Sequence, residues 1–153
     1  MIRKILAPAA LAVLVSSCVT DEFQQTKAQV AQSIAAEQPG NYYIGRRFYR
    51  RYYFFWGYVR RPQQPWSSAQ LVMLNEQKVL APDRQANAMG SDNNTEYRLD
   101  GYFSGQTVYE PASNAFYPEF VLTGYKAISA NPPRIFRDSN ATDPNRLVID
   151  KPE

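Results

Sequence analysis

Residues 42–61 set the terms for anything this chain can fold into. The run YYIGRRFYRRYYFFWGYVRR interleaves aromatic side chains with Arg46, Arg47, Arg50, Arg51, Arg60 and Arg61 and contains no carboxylate. Aromatic and β-branched residues suit a pleated, half-buried surface, so the run reads as two strands, Tyr42 to Phe48 and Tyr52 to Arg61. Gly45 and Gly57 inside them point to bulges or tight bends, by which a small sheet curls. Two readings of the arginines stand side by side. In the first, Arg46, Arg47, Arg50 and Arg51 with Trp56 and Tyr58 bind a ligand, since a guanidinium fork meets phosphate or carboxylate and an aromatic face meets cations or sugars. In the second, Phe48, Phe54, Phe55 and Trp56 build the core while the arginines line the solvent face. Neighbours in a regular strand point to opposite faces, so the pairs Arg46-Arg47 and Arg50-Arg51 do not make one continuous stripe.

The rest of the domain reads in chain order. Two prolines make Arg61 to Pro65 a loop, and Ala69 to Leu74 is a third strand. Lys78 to Thr95 is polar and rich in turn residues, a long surface loop with room for one short helical turn. Alternation returns at Glu96 and runs to Tyr109, with a break expected at Gly105. Glu110 to Asn114 has strong turn chemistry, and Phe116 to Ile128 is the returning strand of a long hairpin. Beyond Pro132-Pro133 the chain is polar except for Ile135-Phe136 and Leu147 to Ile149, which suit either an edge strand or a mobile tail. The expected fold is all-β: a small antiparallel barrel of about five strands, OB-like or SH3-like, with a β-sandwich as the alternative. The domain covers 41–136 and a polar tail 137–153.

The residue inventory narrows the chemistry. The chain has no histidine and one cysteine, Cys18. That removes Ser-His-Asp and Cys-His catalysis, imidazole or thiolate metal sites and haem ligation. No metal site and no cofactor are expected. Carboxylate chemistry survives, with Asp100, Glu110 and Glu119 as candidates for a glycan-cleaving pair.

At the other end, Arg3 and Lys4 precede an apolar run from Ile5 to Val15, shorter than the roughly 20 residues that span a bilayer. This is the pattern of a secretion signal. It ends in Leu14-Val15-Ser16-Ser17-Cys18, which resembles the lipobox of bacterial lipoproteins. The resemblance covers residues 1–18 and implies removal of 1–17 and acylation of Cys18. Val19 after the cysteine, where an Asp would imply inner-membrane retention, implies an outer-membrane destination. Residues 18–40 are then a lipidated tether, either a short helix whose stripe is Phe23, Val30 and Ile34, stopped by Pro39-Gly40, or a loosely helical, flexible spacer rich in Gln and Ala.

Processing changes the charge balance. The whole chain has 17 basic and 14 acidic residues, net +3. Loss of Arg3 and Lys4 leaves 15 against 14, and everything outside 42–61 then has 9 basic and 14 acidic residues. The mature chain is polarised, not basic. The expected function is a membrane-anchored envelope lipoprotein whose domain binds or spaces and does not catalyse. Its expected partners are the membrane and an envelope protein, anionic glycan or lipid, not nucleic acid. The alternative is a small carboxylate-dependent cell-wall or glycan hydrolase.

Overall fold

The computed structural model describes residues 22–52 and 54–153, and for residues 54–56 the backbone alone. Cys18, the lipobox and the Trp56 side chain lie outside what is described. The chain is mostly β. Helix α1 (Glu22–Ala35) leads into β1 (Tyr43–Arg50) and β2 (Phe54–Arg60). A 3-10 turn (Trp66–Ser68), β3 (Gln70–Asn75) and the four-residue helix α2 (Pro82–Gln85) follow, then β4 (Glu96–Glu110) and β5 (Ala115–Ser129). Every strand expected from the sequence forms, within a few residues of its expected ends.

The five strands make one sheet closed on itself in the order β1-β2-β3-β5-β4, not the two stacked sheets of a sandwich. β1 is antiparallel to β2 and to β4, β2 to β3, and β4 to β5, whereas β3 and β5 are parallel through Met73–Glu119, Leu74–Phe120 and Asn75–Val121. The expectation of an all-antiparallel sheet is therefore corrected to a mixed one, and the reason is parity. Strand directions around a ring can alternate only if the number of strands is even; with five, one neighbouring pair must run the same way.

β1 is buried on both faces, which explains why its sequence does not alternate apolar with polar. Its side chains nevertheless keep the two-residue period. Tyr43 joins Val59, Val72, Tyr97, Leu99, Phe120 and Leu122 in the cluster that fills the ring. Tyr42, Ile44 and Phe48 join Tyr58, Trp66, Val30 of α1, and Ile135, Phe136 and Ala141 of the C-terminal segment in a second cluster outside it. The tether helix thus packs on the domain through Phe23 and Val30, with Ile34 half-buried. The C-terminal segment forms no edge strand. It lies as irregular chain over the outer face, held by Tyr58 Oη donating to the Asp150 carbonyl (2.6 Å) and the Glu153 N–H donating to the Ile135 carbonyl (2.9 Å).

β4 and β5 outrun the ring. β1 covers β4 only over Glu96 to Leu99, and β3 covers β5 only over Glu119 to Val121, so the Thr107–Pro118 end projects as a two-stranded arm. Glu110 fixes its tip by accepting the Ala112 and Ser113 N–H groups at 2.9 and 2.6 Å. The strand does not break at Gly105 (φ 83°); the register slips there between Phe103 and Thr107 and pairing resumes. A second slip, at Asp100/Gly101, brings β5 close to Gly101. A Cβ there would lie on the Val121 carbonyl oxygen and 2.5 Å from Phe120 Cε1. A backbone carbonyl has nowhere to go, so Gly101→Ala is expected to destabilise the fold by about 1–3 kcal/mol. Urea titration followed by fluorescence measures this; an unchanged midpoint would mean that β4 and β5 separate at the slip without cost.

Candidate functional site

Both faces of β1 are covered, so its arginines have no solvent face. Arg46, 1 % exposed, donates to Glu96 through Nε (2.9 Å) and Nη2 (2.6 Å), and to the Pro133 carbonyl through Nη1 (2.8 Å). Arg47, 2 % exposed, points the other way, toward one end of the ring. There its Nη1 meets Asp83 at 2.6 Å and Asp92 at 2.5 Å, and its Nη2 lies 3.5 Å from Glu76. Arg50 donates to the Asp143 carbonyl at 3.0 Å and to the Ala141 carbonyl. On β2, Arg60 pairs with Glu37 just past α1. The indole of Trp66, 1 % exposed, lies between Arg46 and Arg60, whose guanidinium carbons are 4.8 and 4.5 Å from its ring centre.

Of the six ligand candidates, the structure thus turns Arg46, Arg47 and Arg50 inward as cross-links and buries Tyr58. Arg51 alone among the four arginines is exposed, its backbone N–H donating to the Pro144 carbonyl at 2.9 Å. The picture of arginines along a solvent face is corrected for the same reason: the helix and the C-terminal segment occupy that face. Sequence reasoning missed the acceptors, Glu37, Glu76, Asp83, Asp92 and Glu96. The signal was present in the charge count, because a carboxylate-free basic stretch inside a chain that is otherwise acidic needs partners from elsewhere.

Electrostatics follow from burial. Desolvation lowers the proton affinity of Arg46, which Glu96 only partly restores, and that of Arg50. For Arg47, Asp92 and Asp83 outweigh burial and raise it. The two aspartates diverge. Burial opposes ionisation of Asp83, but the Gly90 N–H at 2.9 Å and Arg47 overcome it and hold the carboxyl below the usual range. At Asp92 burial wins, with the Asp83 charge added, and the carboxyl rises. Burial also pushes the Tyr58 and Tyr97 hydroxyls up to about 12, each beside an aspartate, Asp150 and Asp92 respectively.

The three candidate acids sit in different surroundings. Glu110 is spent on the arm's turn, where Ser113 and Ala112 overcome burial and lower its carboxyl. Glu119 is lowered by hydrogen bonds from Ser104 and Asn75, the latter at 2.8 Å. Asp100 is exposed beside Arg98. A general acid needs a raised carboxyl, and those of Glu110 and Glu119 are both lowered. Among the described residues no group of three or more acidic, histidine or cysteine side chains is arranged to hold a metal ion, and no helix is long and apolar enough to cross a membrane.

What stays open is a set of hollows. A cleft of about 220 Å³ lies between α1 and the ring, over the Arg46–Glu96 and Arg60–Glu37 pairs. A second hollow, of about 340 Å³, opens at Tyr43, Arg61 and Phe103. The largest of these three is a groove of about 470 Å³ on the outer face of β2 and β3, between the start of β5 and the C-terminal segment. Ligand sites are usually of about 300–1,000 Å³, which favours the groove over the α1 cleft. Tyr58, Leu71, Tyr117, Ile149 and Lys151 line it, apolar walls with two phenols and one ammonium. Of these, only Tyr58 was legible as a candidate. Compared with family models, curated proteins and solved structures, the chain matches none.

Two outcomes test the buried network. Arg47→Met leaves three carboxylates facing one another and is expected to cost about 3–5 kcal/mol, whereas Arg51→Ala stays within about 0.5 kcal/mol; denaturant titration compares them directly. The aspartates separate by sign. Asp83, lowered in the fold, contributes stability above its ordinary value of 3.8 and loses it as pH falls through the folded value. Asp92, raised, is favoured by its proton, so its ionisation weakens the fold as pH rises. At neutral pH, Asp83→Asn is therefore expected to lower the denaturation midpoint more than Asp92→Asn does, and the reverse order would overturn this assignment.

Proposed function

We propose that this chain is a lipid-anchored, non-catalytic binding module of the bacterial cell envelope, tethered through Cys18 and presenting an OB-like barrel. The strand order β1-β2-β3-β5-β4 with a parallel β3–β5 pair supports the OB-like arrangement over an SH3-like one, because OB barrels close through a strand pair of this kind and bind ligands across the face of strands 2 and 3. The single observation that carries the binding role is the groove on that face. The half-buried Tyr117 offers a ring face, the buried Tyr58 forms part of the floor, Leu71 and Ile149 give apolar contact, and Lys151 a positive charge. That combination suits an anionic glycan, one sugar ring of which stacks on the Tyr117 phenol while an acid group meets the ammonium. The lipobox resemblance supports the anchor, and Val19 the outer membrane.

Two experiments test this reading. The tryptic peptide Cys18–Lys27 from membrane-extracted protein is expected to carry three acyl chains; an unmodified peptide would remove the anchor. Titration of the purified protein with anionic cell-wall saccharides is expected to give saturable binding that weakens about tenfold or more in Lys151→Glu and does not change in Arg51→Ala. Release of soluble fragments from the glycan, abolished by Glu119→Gln, would replace the binding role with a hydrolytic one.

A further inference from the structure

The two ends of the strand ring are finished differently. β1 sends Arg47 toward one end, where Glu76, Asp83 and Asp92 receive it. Tyr43, four residues earlier on the same face, marks the other end, where β2 finishes and β3 begins, paired as Ile44–Arg60 and Val59–Gln70. The hollow of about 340 Å³ opens here, within the size range of small-ligand sites. Among the described residues no carboxylate lines it.

Two groups there have hydrogen-bonding capacity that the described residues leave unused. Tyr43 is 9 % exposed, and its phenol is covered by Arg61, whose Cζ lies 4.0 Å from the ring centre. Phe103 and Phe120 stand edge-to-face against it, at 5.8 and 5.0 Å between centres. Its hydroxyl, however, makes no hydrogen bond with the described residues, whereas a buried phenol ordinarily finds a partner. Arg61 is exposed and held through Nη1 alone, which donates to Asn41 Oδ1 at 3.1 Å and to the Tyr42 carbonyl at 3.5 Å. Its Nε and Nη2, the edge of the fork that takes a carboxylate side-on, have no acceptor among the described residues. The neighbouring Arg60 is already matched by Glu37.

This inventory selects a ligand. One unmatched positive charge suits a single negative one; a doubly charged phosphate would leave excess charge half-enclosed, at a desolvation cost. Because Arg61, Phe103 and Phe120 engage the Tyr43 phenol, it offers a hydroxyl and not a stacking face for a sugar. Gln64 and Gln70 add two side-chain amides, each donor and acceptor at once, which match the N–H and C=O of a peptide group.

We propose that this end of the ring is a binding site for the C-terminal carboxylate of a peptide, held by Arg61 and the Tyr43 hydroxyl, with Gln64 and Gln70 on the preceding peptide group. The site is separate from the groove at Lys151 and rests on neither the lipid anchor nor the glycan reading.

The test titrates N-acetyl-alanyl-alanine into the purified full chain and follows the Arg61 Nε–H and the Gln64 and Gln70 backbone amides by NMR. Saturable shifts of these signals are expected. Binding should weaken about tenfold in Arg61→Gln and about fivefold in Tyr43→Phe, which keeps the packed ring, and stay unchanged in Lys151→Glu. The same peptide with an amidated C-terminus should not bind; equal binding of that probe overturns the proposal without recourse to any variant. Inorganic phosphate that displaces the peptide at equal concentration overturns it in favour of a general anion site. Glucuronate that does so, with the same loss in Arg61→Gln, overturns it in favour of an acidic sugar. Shifts confined to residues around Lys151 overturn it and move the peptide to the groove.

Discussion

Burying a guanidinium requires acceptors, and the architecture outside the sheet consists largely of the segments that bring them. Desolvating one unpaired ion costs several kcal/mol, too much for a small domain to carry four times over. Each inward-turned arginine of β1 and β2 therefore captures a different piece of chain. Arg46 holds the start of β4 and the Pro133 turn; Arg47 holds the loop between β3 and β4; Arg50 holds the C-terminal segment; Arg60 holds the exit of α1. Bonds of this type are directional, so they select one placement for segments whose few apolar residues would leave them several. They add specificity more than net stability.

The groove is a by-product of that arrangement. The C-terminal segment crosses the outer face to reach Arg50 and Tyr58, and where it stands off β2 and β3 near the base of the arm it leaves a walled trough. A ligand there would touch a surface that the chain itself has half covered. The cleft beneath α1 arises in the same way but is smaller, and its charges are already matched in pairs. Charge matching thus separates a cavity that closes the fold from one that is free to bind.

The strands were legible because aromatic and β-branched runs, glycines and prolines are local signals. The stripe of Phe23, Val30 and Ile34 was legible for the same reason, and it packs. Three features were not. The parallel β3–β5 pair depends on closure of the ring, which no window of sequence contains. The burial of Arg46 and Arg50 depends on a cover supplied by residues 22–37 and 132–153, and that of Arg47 on acceptors from 76–92, all outside the strand that carries them. The loop 78–95 looked like surface by composition, yet Asp83 and Asp92 are buried because Arg47 draws them in. Of the candidate site, Tyr58 was visible as an aromatic in a strand. Lys151 and Ile149 sat in a tail whose path is set by bonds to β1 and β2.

The distribution of these partners along the chain has a consequence for how the molecule comes into being. β1 and β2 emerge early, carrying the positive charges; Glu37, the partner of Arg60, precedes them, but the acceptors of Arg46, Arg47, Arg50 and Tyr58 follow at 76–96 and then at 133–150. Until the last of these has appeared, Arg50 and Tyr58 have no acceptor, and the outer face of β1 has only the cover that α1 gives it. A vectorially delivered chain therefore completes its outer face only near the end of its passage. The outer layer is thus the last part of the molecule to gain its full set of partners.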